Sequence, residues 1–371
     1  MLTISEISIS GYRSLRAVRT ELAGLNVFFG RNGAGKTNLY RSLQLIQAAA
    51  LGTFAREIAQ EGGLEAAMWA GRRARSTPAR ITLSVRLAAE GPKGPSYTYE
   101  IEAGAPPLSA AAFPLEPHVK EERILFHEGR RARPILQRRG PSLAAADTQG
   151  RMREISRSLL PSQTALAALD EPGDFPDHHL IRRTLCAWRF YHDLRTDSAS
   201  PLRQPSLAIT ATTLDPDGGN LAAVFATLRY IREDSTDLDA AISEAFPGSE
   251  LEVDRPGRET RFGLTSPDFV LDGGSRRIFE AGELSDGTLR YLGLAGALLA
   301  YHRPPFIAIN EPESSLHSDL MGPLASMIAR ASEDSQIWVV THARELADAI
   351  AARTGIRPVE VVKNYGATEL V

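Results

Sequence analysis

The chain has 371 residues, of which 43% are hydrophobic and 23% charged, a balance typical of a soluble globular protein with two or three packed units. Its net charge of -3 and pI of about 6.3 give no overall indication of nucleic-acid binding. A single cysteine, Cys186, excludes an intramolecular disulfide and a cysteine metal cluster. No apolar run reaches the ~20 residues needed to cross a bilayer, and the amino terminus does not resemble a signal peptide. We therefore expect a cytoplasmic protein that does not associate with membranes.

Residues 1–150 are predicted to form a first lobe of strands around one helix. Residues 1–15 alternate polar and apolar side chains, Asn26–Gly30 is a short apolar strand, and Thr37–Gln47 has apolar residues at helical spacing. Gly and Pro turns separate four more strands, which predicts an antiparallel meander over Ile81–Leu87, Tyr97–Glu102, Arg123–His127 and Pro134–Gln137.

Residues 151–250 are predicted to be a mainly helical insertion, and residues 251–371 a second lobe. The insertion lacks the sustained heptads of a coiled coil, and its predicted helices are Glu154–Leu160, His179–Leu194, Leu221–Glu233 and Leu238–Phe246. The second lobe alternates helix and strand, which predicts a mostly parallel sheet, with helices at Leu289–Tyr301, Leu320–Ala331 and Arg344–Ala352 and strands at Phe306–Asn310 and Ile337–Val340.

A glycine-rich segment after the Asn26–Gly30 strand matches the pattern G-x-x-x-x-G-K-[ST]; it reads Gly30, Arg31, Asn32, Gly33, Ala34, Gly35, Lys36, Thr37. Glycines let successive backbone N–H groups turn towards an anion, and the following helix directs its positive end at the same point. Lys36 is expected to reach the β- and γ-phosphates of ATP, and Thr37 to ligate Mg²⁺. The segment therefore predicts an ATP site.

The apolar strand Phe306–Asn310 runs into a second polar segment, Glu311-Pro312-Glu313. Ligand sites in open α/β sheets lie at the carboxyl ends of strands, so we assign Glu311 to polarising the attacking water. Asn310 stands where an Asp is usual. Its amide oxygen can accept a hydrogen bond from a Mg²⁺-bound water but supplies no charge, so we expect weaker metal binding or slower turnover.

Two further segments complete the pattern. Glu283–Thr288 precedes a predicted helix and resembles the signature loop of ABC ATPases, in which Ser285 and Gly287 would grip phosphate. The strand Ile337–Val340 ends in Thr341-His342, and His342 resembles the switch histidine that senses the γ-phosphate. By itself either segment also fits an ordinary turn or a structural histidine.

Together these motifs resemble ABC-type P-loop ATPases of the RecF/SMC-like group over the first ~50 and last ~100 residues. Glu311–His317 is close to the E-P-E-x-x-L-H run of that group, and Asn32–Asn38 matches its N-G-x-G-K-[ST]-N form. Gly11–Leu15 resembles the segment whose arginine, here Arg13, approaches the nucleotide. The resemblance implies an α/β, ABC/SMC-head-like P-loop NTPase with a mixed sheet, an antiparallel meander in the first lobe and a helical insertion.

The resemblance also implies a mechanism in which ATP and Mg²⁺ close a homodimer and hydrolysis opens it. One subunit would supply the catalytic residues Glu311, His342 and Lys36, and the phosphate loop with Arg13 and Asn38. The same subunit would hold Mg²⁺ through Thr37, through a water on Asn310, and through Gln60. Its partner would supply Ser285 and Gly287 in trans.

The output of the ATPase is open between two classes. RecF and SMC relatives act on DNA ends, gaps or loops, which implies DNA binding in repair, recombination or genome maintenance. Three arginine clusters could contact phosphates, although a solvated surface balanced by neighbouring acids explains them equally, namely Arg72/Arg73/Arg75, Arg130/Arg131/Arg133 and Arg138/Arg139. Aromatic residues in Trp188–Arg195 could stack on bases, although such spacing more often marks a helix core face. The alternative is an ATP-sensing switch that recruits or regulates a protein effector, such as a defence-system nuclease or toxin.

Overall fold

The computed structural model describes residues 2–71, 79–89, 91, 94–106, 113–129, 131–255 and 257–371. It divides into two compact units. Unit 1 contains Met1–Ala23, Gly30–Trp188 and Val359–Val371, and unit 2 contains Gly24–Phe29 and Arg189–Pro358. Both units are therefore built from separated segments of the chain.

The strands in chain order are β1 Leu2–Tyr12, β2 Leu15–Glu21, β3 Leu25–Phe29, β4 Arg80–Ala89, β5 Ser96–Gly104, β6 His118–Glu128, β7 Arg131–Arg139, β8 Ser142–Ala146, β9 Met152–Glu154, β10 Arg189–Tyr191, β11 Ser206–Leu207, β12 Leu251–Val253, β13 Glu259–Thr260, β14 Phe262–Val270, β15 Arg276–Glu280, β16 Phe306–Asn310, β17 Gln336–Thr341, β18 Val359–Asn364 and β19 Ala367–Leu370. The α-helices are α1 Lys36–Leu51, α2 Phe54–Gln60, α3 Leu64–Ala67, α4 Ala165–Ala168, α5 Pro176–Cys186, α6 Leu221–Thr227, α7 Thr236–Ala245, α8 Asp286–Leu298, α9 Met321–Ala331 and α10 Arg344–Thr354. Short 3₁₀ turns cover Pro201–Arg203 and Ser318–Leu320, and a π turn extends α6 over Leu228–Arg232.

Unit 1 is organised by an eight-stranded antiparallel sheet in the order β2-β1-β4-β5-β6-β7-β8-β9. Residues directly opposite each other share a face of a sheet. Ile7, Val85, Tyr99, Ile124 and Leu136 oppose one another in turn across five strands, and each is 0% exposed. Helix α1 contacts β1 and β4. The predicted meander is confirmed, and it supports the helix that begins at the glycine-rich loop.

Unit 2 contains four parallel strands in the order β10-β16-β17-β3. Every residue of β16 and β17 is buried, the composition expected of a parallel sheet covered on both faces. Val340 is paired with both Asn310 of β16 and Phe28 of β3. Tyr191, at the end of β10, pairs with Ile309. The carboxyl ends of all four strands therefore lie at one edge, as predicted for β16 and β17.

The predicted middle domain differs from the observed organisation. Residues 151–250 contain helices, but the boundary between the units lies at Trp188/Arg189, inside this segment, rather than at 150 and 250. The helix predicted over Glu154–Leu160 is wrong, since β9 ends at Glu154 and no regular element follows it up to Leu160. The helix predicted to reach Leu194 ends at Cys186, because Arg189–Tyr191 joins the parallel sheet as β10. Tertiary pairing here overrides the local helical pattern.

The aromatic residues of this segment belong to the core. Trp188, Phe190 and Tyr191 are 1%, 8% and 2% exposed. The ring of Phe190 packs edge-on against Phe306 at 6.1 Å, and the hydroxyl of Tyr191 donates to the carbonyl of Leu214 at 2.8 Å. The core interpretation is confirmed, on a strand rather than on a helix, and these rings are not available to stack on nucleic-acid bases.

In the described part of the chain, no helix has both the length and the apolar character needed to span a bilayer.

Candidate functional site

The glycine-rich loop of unit 1 connects the carboxyl end of β3 to the start of α1. Gly33 and Gly35 have φ values of +79° and +103°, in the left-handed region that glycine adopts without a Cβ penalty. Gly35 is the N-cap of α1, and its helix end has no side-chain cap hydrogen bond. The N–H groups in the first turn of this 16-residue helix are therefore presented to the loop, where they can bind an anion.

Lys36 is buried, with 4% exposure, although it carries a charge. Its Nζ donates to the carbonyl oxygens of Gly30 at 2.7 Å and Arg31 at 3.0 Å. The ammonium group is thus held against the carbonyls that begin the loop. Burial of a lysine in this way is expected where its charge is paired with acceptors or a ligand.

Residues from both ends of the chain support the loop. Asn38 Nδ2 donates to Ser14 Oγ at 2.7 Å, and Ser14 Oγ is 2.7 Å from Thr368 Oγ1. Thr368 Oγ1 in turn lies 2.9 Å from the carbonyl oxygen of Ala34. The motif predicts Asn38, whereas it gives no role to Ser14, within Gly11–Leu15, and does not include Thr368. No local pattern identifies Thr368, which is 354 residues from its partner Ser14.

Two loop glycines are required by close packing. A Cβ on Gly35 would lie 1.9 Å from Thr368 Oγ1 and 2.6 Å from Ser14 Oγ, and a Cβ on Gly30 would lie 2.3 Å from the carbonyl oxygen of Val361. A Cβ on Gly33 meets nothing within 4 Å. The β18–β19 hairpin therefore packs on the backbone of Gly30 and Gly35, which explains these two glycines independently of any ligand.

Arg13 is held by an acidic residue that the sequence did not single out. Its Nε and Nη2 lie 3.0 and 2.9 Å from Glu61 Oε2, and Arg41 Nη1 lies 3.2 Å from Glu61 Oε1. Tyr12 donates its hydroxyl to Glu61 at 2.8 Å, and burial, with the nearby Glu61 charge, raises the pKa of Tyr12. Gln60, the predicted metal-side glutamine, is the exposed last residue of α2.

Glu311 follows β16 at the carboxyl edge of unit 2 with an unusual backbone. Its φ of +51° is left-handed, which costs a non-glycine residue on the order of 1–2 kcal/mol. Its N–H donates to Val340 at 2.7 Å, and its carbonyl accepts from Arg290 Nη2 at 3.0 Å. Arg290 is itself buried, and burial lowers its pKa. Neighbours on both sides of the peptide thus hold the strained backbone conformation of Glu311.

Glu313 accepts several hydrogen bonds at the carboxyl edge of the parallel sheet. Its Oε1 accepts from Thr341 Oγ1 at 2.6 Å and from the backbone N–H groups of His342 at 2.8 Å and Ala343 at 3.1 Å. His342 Nδ1 lies 2.9 Å from the same oxygen and 4.0 Å from Glu311 Oε1. The Glu313 side chain is 5% exposed, whereas that of His342 is 42% exposed. Glu313, which the sequence motif contains but to which no role was assigned, therefore orients the predicted switch histidine.

Asn310 is 1% exposed, and its Nδ2 lies 2.8 Å from Nδ1 of His192. Its Oδ1 has no hydrogen-bond partner among the described residues. A buried acceptor of this kind suits a water molecule on a divalent cation. His192 was missed, although the signal that identified Asn310, an apolar strand ending in polar side chains, is also present where β10 ends.

The signature-like loop begins α8. Ser285 is the exposed N-cap, and its Oγ accepts from the N–H of Thr288 at 3.2 Å and lies 2.8 Å from Thr288 Oγ1. Arg203 Nη1 lies within 3.2 Å of the carbonyl oxygens of Ala281, Gly282 and Leu284, and its Nη2 lies 2.8 Å from Asp286. Arg203 thus holds the loop from a distant segment.

Comparison with known proteins identifies the family of the chain. The family model described as "AAA domain, putative AbiEii toxin, Type IV TA system" matches residues 25–348. The chain belongs to this family.

This AAA-domain protein is also similar to chromosome partition protein Smc of Mycobacterium tuberculosis, at 25% identity over 253 residues. That match covers 62% of the chain but only 21% of the relative's length. Among solved structures, an Smc head bound to the C-winged helix domain of ScpA superimposes with a TM-score of 0.59 at 12% identity, covering 99% of this chain and 97% of that one. An Smc head with an extended coiled coil, bound to the C-terminal domain of ScpA derived from Pyrococcus furiosus, gives 0.56 at 11% identity and covers 100% and 96%. The predicted ABC/SMC-head-like α/β fold is confirmed.

One predicted phosphate contact is wrong. Arg138 is 1% exposed, since it donates to the carbonyl oxygens of Gly140 and Leu160 at 3.0 Å and lies 4.0 Å from buried Glu122. Its neighbour Arg139 is exposed. The strand alternation of β7 turns one arginine of the pair inward. In the other clusters Arg131 and Arg133 are exposed, while Arg72, Arg73, Arg75 and Arg130 lie outside the described residues.

Proposed function

We propose that the protein binds and hydrolyses Mg-ATP and that ATP closes it into a homodimer. The observation that supports this most directly is Glu311, a carboxylate on a strained backbone that Val340 and Arg290 hold from both sides. Strain that is maintained by surrounding structure is typical of functional residues.

The phosphate loop supplies the binding part of this proposal. Gly33 and Gly35 turn backbone N–H groups towards an anion, and the uncapped end of α1 adds its positive dipole. Lys36 would exchange its loop carbonyls for the β- and γ-phosphates. In this proposal Thr37 would ligate Mg²⁺ directly and Asn310 would hold it through water, and the cation would neutralise developing charge on the phosphates.

The carboxyl edge supplies the hydrolytic part. Glu311 would orient and deprotonate the attacking water. His342, fixed by Glu313, would contact the γ-phosphate and report its presence. Because Asn310 lacks the negative charge of an aspartate, we expect slow turnover, which would prolong the ATP-bound state.

The signature-like loop supplies the dimeric part. Ser285 is exposed and caps α8, so its hydroxyl and the helix end can bind a phosphate that comes from outside the subunit. The sequence carries one phosphate loop and one signature-like loop. In a twofold dimer, the phosphate loop of each subunit would face the signature-like loop of the other subunit. Ser285 and Gly287 would then act in trans.

Light scattering of wild type and Glu311→Gln, with and without Mg-ATP, tests the proposal alongside a phosphate-release assay. We expect Glu311→Gln to lose at least about 100-fold in turnover and to accumulate a dimer only with Mg-ATP. Ser285→Arg in the same background should keep ATP binding and lose the dimer. Proteins that bind ATP and remain monomeric in every case would disprove the role of the signature-like loop.

A second candidate concerns the output. The β14–β15 hairpin of unit 2 exposes large apolar side chains, namely Phe269, Val270, Leu271 and Ile278, each at least 48% exposed. Clustered exposed apolar residues indicate a protein-binding surface, which favours an ATP-controlled switch acting on a protein effector. The DNA alternative now depends on arginines such as Arg131, Arg133 and Arg139. Binding to duplex DNA that falls steeply with salt would favour it.

A further inference from the structure

Asn310 differs from the aspartate usual at its position in one respect beyond charge. An aspartate presents two equivalent oxygens, whereas an asparagine has an accepting end and a donating end. Only the accepting end can bind a water on Mg²⁺, and the NH₂ end directs positive charge at the cation. An asparagine can therefore serve the metal only if its amide is held in one of two orientations.

His192 lies where it can set that orientation. β10 and β16 are parallel, and Tyr191 pairs with Ile309, so the next residues, His192 and Asn310, occupy corresponding positions at the carboxyl edge. Asn310 Nδ2 and His192 Nδ1 are 2.8 Å apart. Asn310 is 1% exposed, so the amide end of this contact is shielded from competing water.

The contact leaves the amide oxygen available. With Nδ2 as donor, Nδ1 of His192 must be the accepting nitrogen of a neutral imidazole whose proton is on Nε2. Asn310 Oδ1 has no hydrogen-bond partner among the described residues, and a buried acceptor without a partner destabilises a fold. A metal-bound water would satisfy it.

We propose that His192 is a positioning residue for the metal side of the site. It fixes the Asn310 amide so that Oδ1, and not Nδ2, accepts from a Mg²⁺-bound water. This proposal rests on the proposed function, since it takes Asn310 as the residue that holds Mg-ATP through water. It assigns a role to a histidine outside every motif in the sequence.

Calorimetric titration of ATP, with Mg²⁺ and with EDTA, tests the proposal in the Glu311→Gln background, where the nucleotide is not consumed. The measured quantity is the factor by which Mg²⁺ tightens ATP binding. We expect His192→Ala to reduce this factor about fivefold, the value of one lost hydrogen bond, and to leave binding in EDTA unchanged. His192 is exposed at the surface, so the variant should fold. The control His302→Ala, at another exposed histidine of unit 2, should match the parent.

The decisive comparison repeats His192→Ala in an Asn310→Asp chain. A carboxylate has no donating end, so Asp at this position should tighten Mg-ATP binding and make it insensitive to His192→Ala within about twofold. The proposal would be overturned if His192→Ala reduced the Mg²⁺ effect on ATP binding equally in both backgrounds. It would also be overturned if His192→Ala caused no reduction in the chain that retains Asn310.

Nuclear magnetic resonance of the nucleotide-free protein gives a readout that does not depend on ATP binding. The ¹⁵N shifts of His192 should show Nδ1 unprotonated and Nε2 protonated, and the opposite tautomer would overturn the proposal. If the tautomer is as expected but wild type shows no Mg²⁺-dependent ATP binding, the proposed function fails, and with it the role of His192 towards a metal.

Discussion

The phosphate loop of unit 1 and the carboxyl edge of unit 2 are organised on different principles. The loop depends on backbone: left-handed glycines, a helix end without a side-chain cap, and a β18–β19 hairpin packed where a Cβ would otherwise lie. The edge depends on side chains, with Glu313 joining Thr341 and His342, and His192 joining Asn310.

This difference predicts how each region responds to substitution. Adding a single methyl group to the loop should disturb its backbone and its ligand binding together, because the same atoms serve both. Exchanging a polar group at the edge for another of similar shape should instead alter the chemistry and leave the fold intact, because the strands of the parallel sheet are held by their own hydrogen bonds.

The largest effect is expected from Gly35→Ala. Its Cβ would lie 1.9 Å from Thr368 Oγ1, and the residue has a φ of +103°. We expect the free energy of unfolding, measured with urea, to fall by about 3 kcal/mol. The affinity for ATP, measured by calorimetry, should fall by at least about 100-fold. Gly33→Ala, which meets no atom within 4 Å, should cost only about 1 kcal/mol. Equal losses in the two variants would contradict the packing argument.

Glu313→Ala tests the other region. Without this carboxylate, His342 loses the acceptor 2.9 Å from its Nδ1, so we expect about a 100-fold fall in kcat, little change in KM and a Mg-ATP affinity within twofold of wild type. Glu313→Gln, which keeps an accepting oxygen, should recover about tenfold of the loss. The control Glu345→Gln, at an exposed position in α10, should behave as wild type. A variant that fails to bind ATP would show that Glu313 maintains the fold instead.

The stability of unit 1 should depend on pH through the buried residue His178. Burial lowers the pKa of this histidine from 6.5 to about 4, so the unfolded chain takes up its proton before the folded one. The contribution to stability is present above pH 6.5 and is lost as the pH falls from 6.5 to 4, by about 2–3 kcal/mol. Urea unfolding of His178→Gln should lack this slope, whereas His179→Gln, at the partly exposed neighbour, should retain it. A slope common to both variants would assign it to other groups.

The smallest effect concerns Arg203, which compensates the charge of Asp286 at the start of α8. In the Glu311→Gln background, Arg203→Gln should weaken the ATP-dependent dimer about tenfold, because Asp286 would then repel phosphate from the partner and the loop would lose its carbonyl contacts. Light scattering at graded protein concentration measures this. Adding Asp286→Asn should recover part of the loss, and Arg195→Gln, at an exposed arginine nearby, should cause none. Failure of Asp286→Asn to recover any affinity would remove the charge argument.

Much of the fold and of the loop was predictable from the sequence. The glycine-rich motif lies within eight consecutive residues, strands β4 and β5 of the meander alternate buried and less buried positions, and β16 and β17 are apolar runs ending in polar side chains. Local patterns gave wrong predictions where tertiary structure decided the outcome. Strand β10 lies within a predicted helix, and Arg138, a candidate phosphate contact, is buried in the core.

The sequence by itself thus determined the phosphate loop, the position of Glu311 and the family, because each is encoded in residues that are consecutive along the chain. Only the tertiary structure decided that Thr368 supports the loop, that Glu313 holds His342 and that His192 meets Asn310. Those contacts join positions from 29 to 334 residues apart. They arise from strand order and register, which place the ends of β10, β16 and β17 at one edge and which no local pattern specifies.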